Sequence, residues 1–168
     1  MSTLYIGCDN GTTGSIGLIS SDGYSLMVKT PVKKEQSYTK KKQNITRVSS
    51  PKLLKFLEEQ ISQYDHVRAM IERPMVNPGR FKATLSAMRA LEATLNVLEI
   101  LEIGYEYCDS KQWAADLLPQ GIKGTPELKK ASAQVGIRLY PSQAEIINKQ
   151  KDADGLMIAH WLMIKYNN

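Results

Sequence analysis

The period of the apolar positions changes along the chain, and each change marks an element. Leu4–Gly7 is a short apolar run leading into Asp9, and residues 16–19 are apolar again before Ser20. Between them Gly11-Thr12-Thr13-Gly14-Ser15 collects residues that tolerate positive φ or close their own hydrogen bonds, so a β-hairpin is predicted. Ser21-Asp22-Gly23 predicts a second turn and Tyr24–Thr30 a third strand, an antiparallel meander over residues 4–30. Pro31–Ser50 shows no clear periodicity and reads as a flexible loop. Ser50 as a side-chain cap and Pro51 behind it open a helix, with Leu53, Leu57 and Ile61 at helical spacing through about Gln63. His66–Glu72, HVRAMIE, is a strand. Strand–helix–strand order makes it parallel to the first through a right-handed crossover. Asp9 and Glu72 then stand at neighbouring strand ends on one edge.

Arg73–Ala83 is a loop with two prolines, a glycine, three basic residues and one aromatic. A long helix is predicted from Thr84 to about Ile103, ended by Gly104. Its apolar stripe is wider than one face, which points to core packing, a helix-mediated dimer, or both. Tyr105–Cys108 is a short strand, and Asp109 or Ser110 caps a helix over Lys111–Leu118. Thr125-Pro126-Glu127 opens another helix that ends near Gly136, while residues 137–149 carry no clear signal. The last helix covers about Asp152 to Lys165.

At 168 residues the chain is expected to be one domain, and its 42% apolar and 23% charged content is that of a soluble globular protein. No apolar run approaches the roughly 18 residues of a membrane span, and the N-terminus lacks a signal-peptide pattern. An intracellular protein with no membrane partner is expected. Cys8 and Cys108 have no metal-binding spacing and read as reduced thiols in core strands. The net charge of +5 permits a nucleic-acid partner. Lys40, Lys41 and Lys42 in the aperiodic stretch suit contacts to a phosphate backbone that carry no sequence information.

An acid at the end of a buried strand is costly unless its charge is compensated. The last helix begins KDADGLMIAHW, with Asp152 and Asp154 at its N-terminal end. Helix capping accounts for one acid there, not for two beside a strongly apolar stripe. If that helix packs across the sheet, Asp9, Glu72 and Asp154 meet at one edge. Clustered carboxylates repel one another, and an all-oxygen set suits Mg²⁺ or Mn²⁺.

With IGCDNGTTGSIGL at the start, MIERP in the middle and KDADGLMIAHW at the end, the chain resembles the RuvC-like Holliday-junction resolvases of the RNase H-like nuclease superfamily, in particular small phage-type members. The resemblance spans residues 3–166 and implies an α/β fold with a mixed five-stranded sheet and helices on both faces. It implies a metal-dependent endonuclease that resolves four-way DNA junctions, with two Mg²⁺ or Mn²⁺ ions per site and no small-molecule cofactor. Asp9 would bridge the metals, Glu72 would be the second ligand, and Asp154 the ligand on the last helix. Family members carry a further acid or histidine one turn earlier, where this chain has Lys151. Asp152 is expected to precede helical geometry and still reach the metals, the alternative being a cap. Lys123 and Lys129 resemble the basic residues near the scissile phosphate. Met75 and Phe81 lie where the family inserts side chains near the junction point, flanked by Arg80 and Lys82. The resemblance also implies a homodimer through the 84–103 helix. A related nuclease acting on flaps, three-way branches or RNA–DNA hybrids is the second reading. An actin-like ATP-binding module is disfavoured by length. His160 lies six residues past Asp154 and is expected to be a packing or surface residue.

Overall fold

The computed structural model describes residues 1–167. Strands β1 (Thr3–Cys8), β2 (Ser15–Ser20) and β3 (Ser25–Lys29) form the expected meander, with Cys8 opposite Ile16 and Ser15 opposite Lys29. The next stretch differs from the flexible loop that its aperiodicity predicts. It is a separate two-stranded ribbon, β4 (Val32–Gln36) and β5 (Asn44–Val48). Most of its side chains are solvated on both faces, so no apolar alternation betrays it. Instead Glu35 pairs with Lys33 at 2.8 Å and across the ribbon with Arg47. Lys40, Lys41 and Lys42 sit exposed in its turn.

Helix α1 (Ser50–Ile61) buries Leu53 and Leu57. Its cap position is Ser49, without a side-chain bond, and Ser50 is already helical. Strand β6 (His66–Glu72) lies parallel to β1, Ile71 beside Cys8, as the crossover argument requires. Helix α2 runs from Phe81 to Ile100, three residues earlier at each end than expected. It starts early because Asn77 caps a 3₁₀ turn over Pro78–Arg80 that feeds directly into it. It stops early because Glu102 takes the left-handed position at φ 54°. The Ile103 N–H then bonds Leu98 O at 2.9 Å and the Glu102 N–H bonds Glu99 O at 3.1 Å, a Schellman closure anchored by buried Ile103. Gly104 therefore opens a strand instead of ending the helix.

Strand β7 (Gly104–Cys108) completes a sheet of order β3-β2-β1-β6-β7. Helix α3 (Ser110–Leu117) follows, then α4 (Thr125–Leu139). The α4 helix passes through Gly136, whose role is close packing: a Cβ there would lie 2.4 Å from Ala153 Cβ. The stretch 137–149 finishes α4 and contains a 3₁₀ turn at Pro141–Gln143 and most of α5 (Ala144–Gln150). Lys151, left-handed at φ 69°, turns the chain into α6 (Asp154–Asn167).

Alternate residues of β1 face two different cores. Leu4, Ile6 and Cys8 pack with Leu53, Leu57 and Leu98 on the side of α1 and α2. Tyr5 packs with Leu156, Ile158 and Leu162 of α6 on the other. The contact between α6 and the sheet is backbone to backbone. A Cβ on Gly7 would come within 2.2 Å of Gly155 O, one on Gly17 within 2.4 Å of the same oxygen, and one on Gly155 within 2.6 Å of Ser15 O. These three glycines let the start of the helix lie directly on β1 and β2, where a side chain would hold it away. No helix among the described residues is long and apolar enough to cross a membrane.

Candidate active site

That close approach sets the site. Asp9 follows β1 directly, and its N–H donates to Ser15 O at 3.0 Å across the mouth of the β1–β2 turn. Asp154 is the first residue of α6, and the next N–H, of Gly155, donates to Ser15 Oγ at 3.1 Å. One serine thus ties the Asp9 turn to the Asp154 helix. Asp152, just before α6, is buried. Carboxylate oxygens of Asp9, Asp152 and Asp154 all lie within 4.8 Å of one another. Glu72 ends β6 and stands outside that triplet, but it lines the same cleft of about 530 Å³ as Asp9 and Asp154. The Trp113 indole Nε1–H of α3 donates to Glu72 Oε2 at 3.1 Å.

Lys129 of α4 is the cation facing this cluster. Its Nζ donates to Asp152 Oδ2 at 2.6 Å and lies 3.8 Å from Asp154 Oδ2. Burial would lower its ammonium, but the bond to Asp152 and the charges of Asp154 and Asp9 carry it above its usual value. One cation does not neutralise the acids. Burial pushes the Asp9 carboxyl well above the ordinary aspartate range, and Asp154 and Glu72 push it further. Asp154 is raised by burial and by Asp152, against hydrogen bonding from Ser132 and the charge of Lys129. Glu72 is raised by burial, opposed by the Trp113 N–H. Beneath them the buried Cys8 thiol is pushed to about 12, chiefly by burial and next by Asp9. Both cysteines are free and buried.

Three hard oxygen ligands at this spacing, with excess negative charge and no sulfur or imidazole among them, fit a hard divalent cation such as Mg²⁺ or Mn²⁺. Such an ion offsets both the burial and the mutual repulsion that raise the carboxyls. His160 takes no part in the cluster; its Nδ1 lies 2.6 Å from the Tyr140 hydroxyl.

The predicted basic and wedge residues divide between two clefts. Met75, 80% exposed, stands with Lys129 in the acidic cleft. Phe81, Lys82, Lys40 and Lys41 line a second groove, between the β4–β5 ribbon and the start of α2. Arg80, Lys42 and Lys123 are exposed and line neither. Sequence reasoning missed Trp113, Lys111 and Ser15. Trp113 carries no signal in its residue type, but one turn into a helix that follows the strand beside β6 its ring can reach the end of β6. Ser15 was legible only as a turn residue.

The sheet order, the helices on both faces and the helix crossing β1 and β2 define the RuvC-like variant of the RNase H-like fold. Two solved structures of Thermus thermophilus RuvC align with it. One, RuvC in complex with Holliday junction substrate, matches with a TM-score of 0.55 at 14% identity, covering 95% of this chain and 90% of that one. The other, a structure of the same organism's RuvC, matches with a TM-score of 0.51 at 15% identity, covering 95% and 91%. No family model matches the sequence, and no curated protein does either.

Proposed function

We propose that this chain is a metal-dependent, structure-selective endonuclease that resolves four-way DNA junctions by paired phosphodiester hydrolysis inside the cell. The carrying observation is the convergence of Asp9, Asp152 and Asp154 within 4.8 Å at the edge of a RuvC-like sheet. A junction-bound RuvC of the same fold supports the choice of substrate.

In this reading Asp9, Asp152 and Asp154 hold the divalent ions, with Glu72 completing the ligand set from the side. Held there, two Mg²⁺ or Mn²⁺ ions would supply an activated water and stabilise the leaving 3′-oxygen. Trp113 fixes the Glu72 carboxylate through its indole N–H, the kind of outer support that orients ligands. Lys129, more than two-fifths exposed at its side chain, is placed to pair with a phosphate at the cleft mouth. Met75 projects from the same mouth as an apolar wedge against a base step. Lys123, Arg80 and Lys42 extend the basic surface that meets the DNA backbone.

The 168 residues act as one catalytic domain, paired into a homodimer through α2, whose Met88 and Ile100 are 42% and 66% exposed. A twofold dimer matches the two symmetry-related phosphates of a four-way junction. The test is cleavage of labelled substrates in Mg²⁺ and in Mn²⁺. The wild-type protein should make paired cuts in a four-way junction, and Asp9→Asn should make none. Faster cutting of a Y-branch or an RNA–DNA hybrid moves the substrate to the related-nuclease reading; cutting by Asp9→Asn equal to wild type removes the metal site from the chemistry.

A further inference from the structure

The groove between the β4–β5 ribbon and the start of α2 has about 730 Å³ of space, within the roughly 300–1,000 Å³ range of ligand sites. Five cations line it, Lys40, Lys41, Arg47, Lys82 and Arg89, and no acid does. Two aromatic rings also line it and are left in solvent: Tyr38 is 79% exposed and Phe81 is 70% exposed. Arg89 of α2 lies 5.3 Å from the centroid of the Tyr38 ring. Tyr38 is bracketed by the Ser37 and Thr39 hydroxyls, 3.1 Å apart, and the Thr39 N–H donates to Ser37 Oγ at 3.3 Å. Phe81 is the first residue of α2, at the mouth of the groove. The groove reaches Thr12, in the turn that follows Asp9, and shares no lining residue with the Trp113 cleft.

Exposed rings beside cations match the way single strands are held: bases stack on aromatics, and Lys and Arg follow the backbone, while the Gln43 amide and the Thr46 and Ser86 hydroxyls that also line the groove can meet the edges of unpaired bases. A paired duplex offers no free base face to either ring. We propose that this groove binds an unpaired stretch of DNA, its bases stacked on Tyr38 and Phe81 and its phosphates held by Lys40, Lys41 and Lys82, and guides that strand past Thr12 towards Asp9. The substrates preferred by this chain are then branches that carry unpaired nucleotides at the crossover. The inference rests on the nuclease reading for its purpose, but not for its test.

The test uses the full chain in EDTA, where no cleavage is needed, with fluorescein-labelled oligo-dT and a blunt duplex of equal length, followed by anisotropy. Tyr38→Ala and Phe81→Ala should each weaken oligo-dT binding about 5- to 50-fold and leave duplex binding within about twofold. Tyr38→Phe, which keeps the ring, should bind as wild type does. Lys82→Ala should lower the salt slope for oligo-dT by about 0.7. Both ring variants binding oligo-dT like wild type overturns the proposal. So does equal loss on both probes, or a changed molecular mass by light scattering with oligo-dT affinity intact, which assigns the rings to a contact between copies. Junction cleavage without ring-dependent oligo-dT binding sinks this inference alone; ring-dependent binding without junction cleavage sinks the nuclease reading alone.

Discussion

Replacing Asp9 by asparagine should abolish cleavage and at the same time stabilise the metal-free protein. With oxygens of Asp9, Asp152 and Asp154 no more than 4.8 Å apart, each ionised pair repels by about 3.5 kcal/mol or more at an effective dielectric of ~20. Lys129 offsets part of this, and protonation of the cluster relieves part of the rest. The net gain for Asp9→Asn in EDTA at pH 8 is put at about 2 kcal/mol, or about 4–8 °C in Tm for a chain of this size. The pH dependence has a definite sign. A carboxyl whose folded value is raised contributes stability that is full below its unfolded value, near 3.9 for aspartate, and lost as pH rises through the folded value. The advantage of the variant should therefore be small near pH 4 and grow towards neutrality. Mg²⁺ should reverse the order, because the wild type gains about 2.7 kcal/mol at a hundred times its dissociation constant and the variant gains little. Thermal melts by circular dichroism between pH 4 and 8, with EDTA and with Mg²⁺, measure all of this. An Asp9→Asn protein less stable than wild type in EDTA at pH 8, or an advantage that does not change with pH, refutes the repulsion argument.

Three further outcomes are expected. Trp113→Phe keeps a six-membered aromatic ring but removes the N–H to Glu72 along with the rest of the buried indole, so junction cleavage should fall about 10- to 100-fold while urea unfolding shifts by about 1–3 kcal/mol from the smaller side chain. Gly17→Ala puts a Cβ 2.4 Å from Gly155 O, so it should cost about 3 kcal/mol of stability in denaturant melts; a neutral effect contradicts the backbone contact between α6 and β2. Burial lowers the His160 imidazole, so its part in stability is full above the unfolded value near 6.5 and is lost as pH falls through the folded value. Urea midpoints should thus decline below about pH 6.5, and His160→Gln should flatten that decline.

What the sequence made legible is what periodicity and chain order control. The meander and the parallel return of β6 beside β1 follow from apolar runs and crossover handedness, whereas the meeting of Asp9 with the start of α6 depends on that helix packing across the sheet, which the resemblance implies and no periodicity shows. The β4–β5 ribbon stayed hidden because its pairing rests on Glu35, Lys33 and Arg47, and exposed charge has no period to read. Gly104 and Gly136 misled for a different reason. Glycine serves both as a helix stop and as a site of close packing, and only the neighbouring chain tells which. In this fold Glu102 accepts the left-handed turn, and Ala153 requires the bare backbone of Gly136. Within the site, the acids were visible by type and order, whereas Trp113 and Ser15 act through geometry that only tertiary packing supplies.

The most direct trial of the account is a crystal of the full chain grown or soaked with Mn²⁺, with data collected at the manganese absorption edge. The account predicts anomalous density bonded to Asp9, Asp152 and Asp154, with Glu72 completing the coordination and Lys129 displaced from Asp152. At saturating Mn²⁺, a flat anomalous map over those carboxylates, with Lys129 still paired to Asp152, contradicts it.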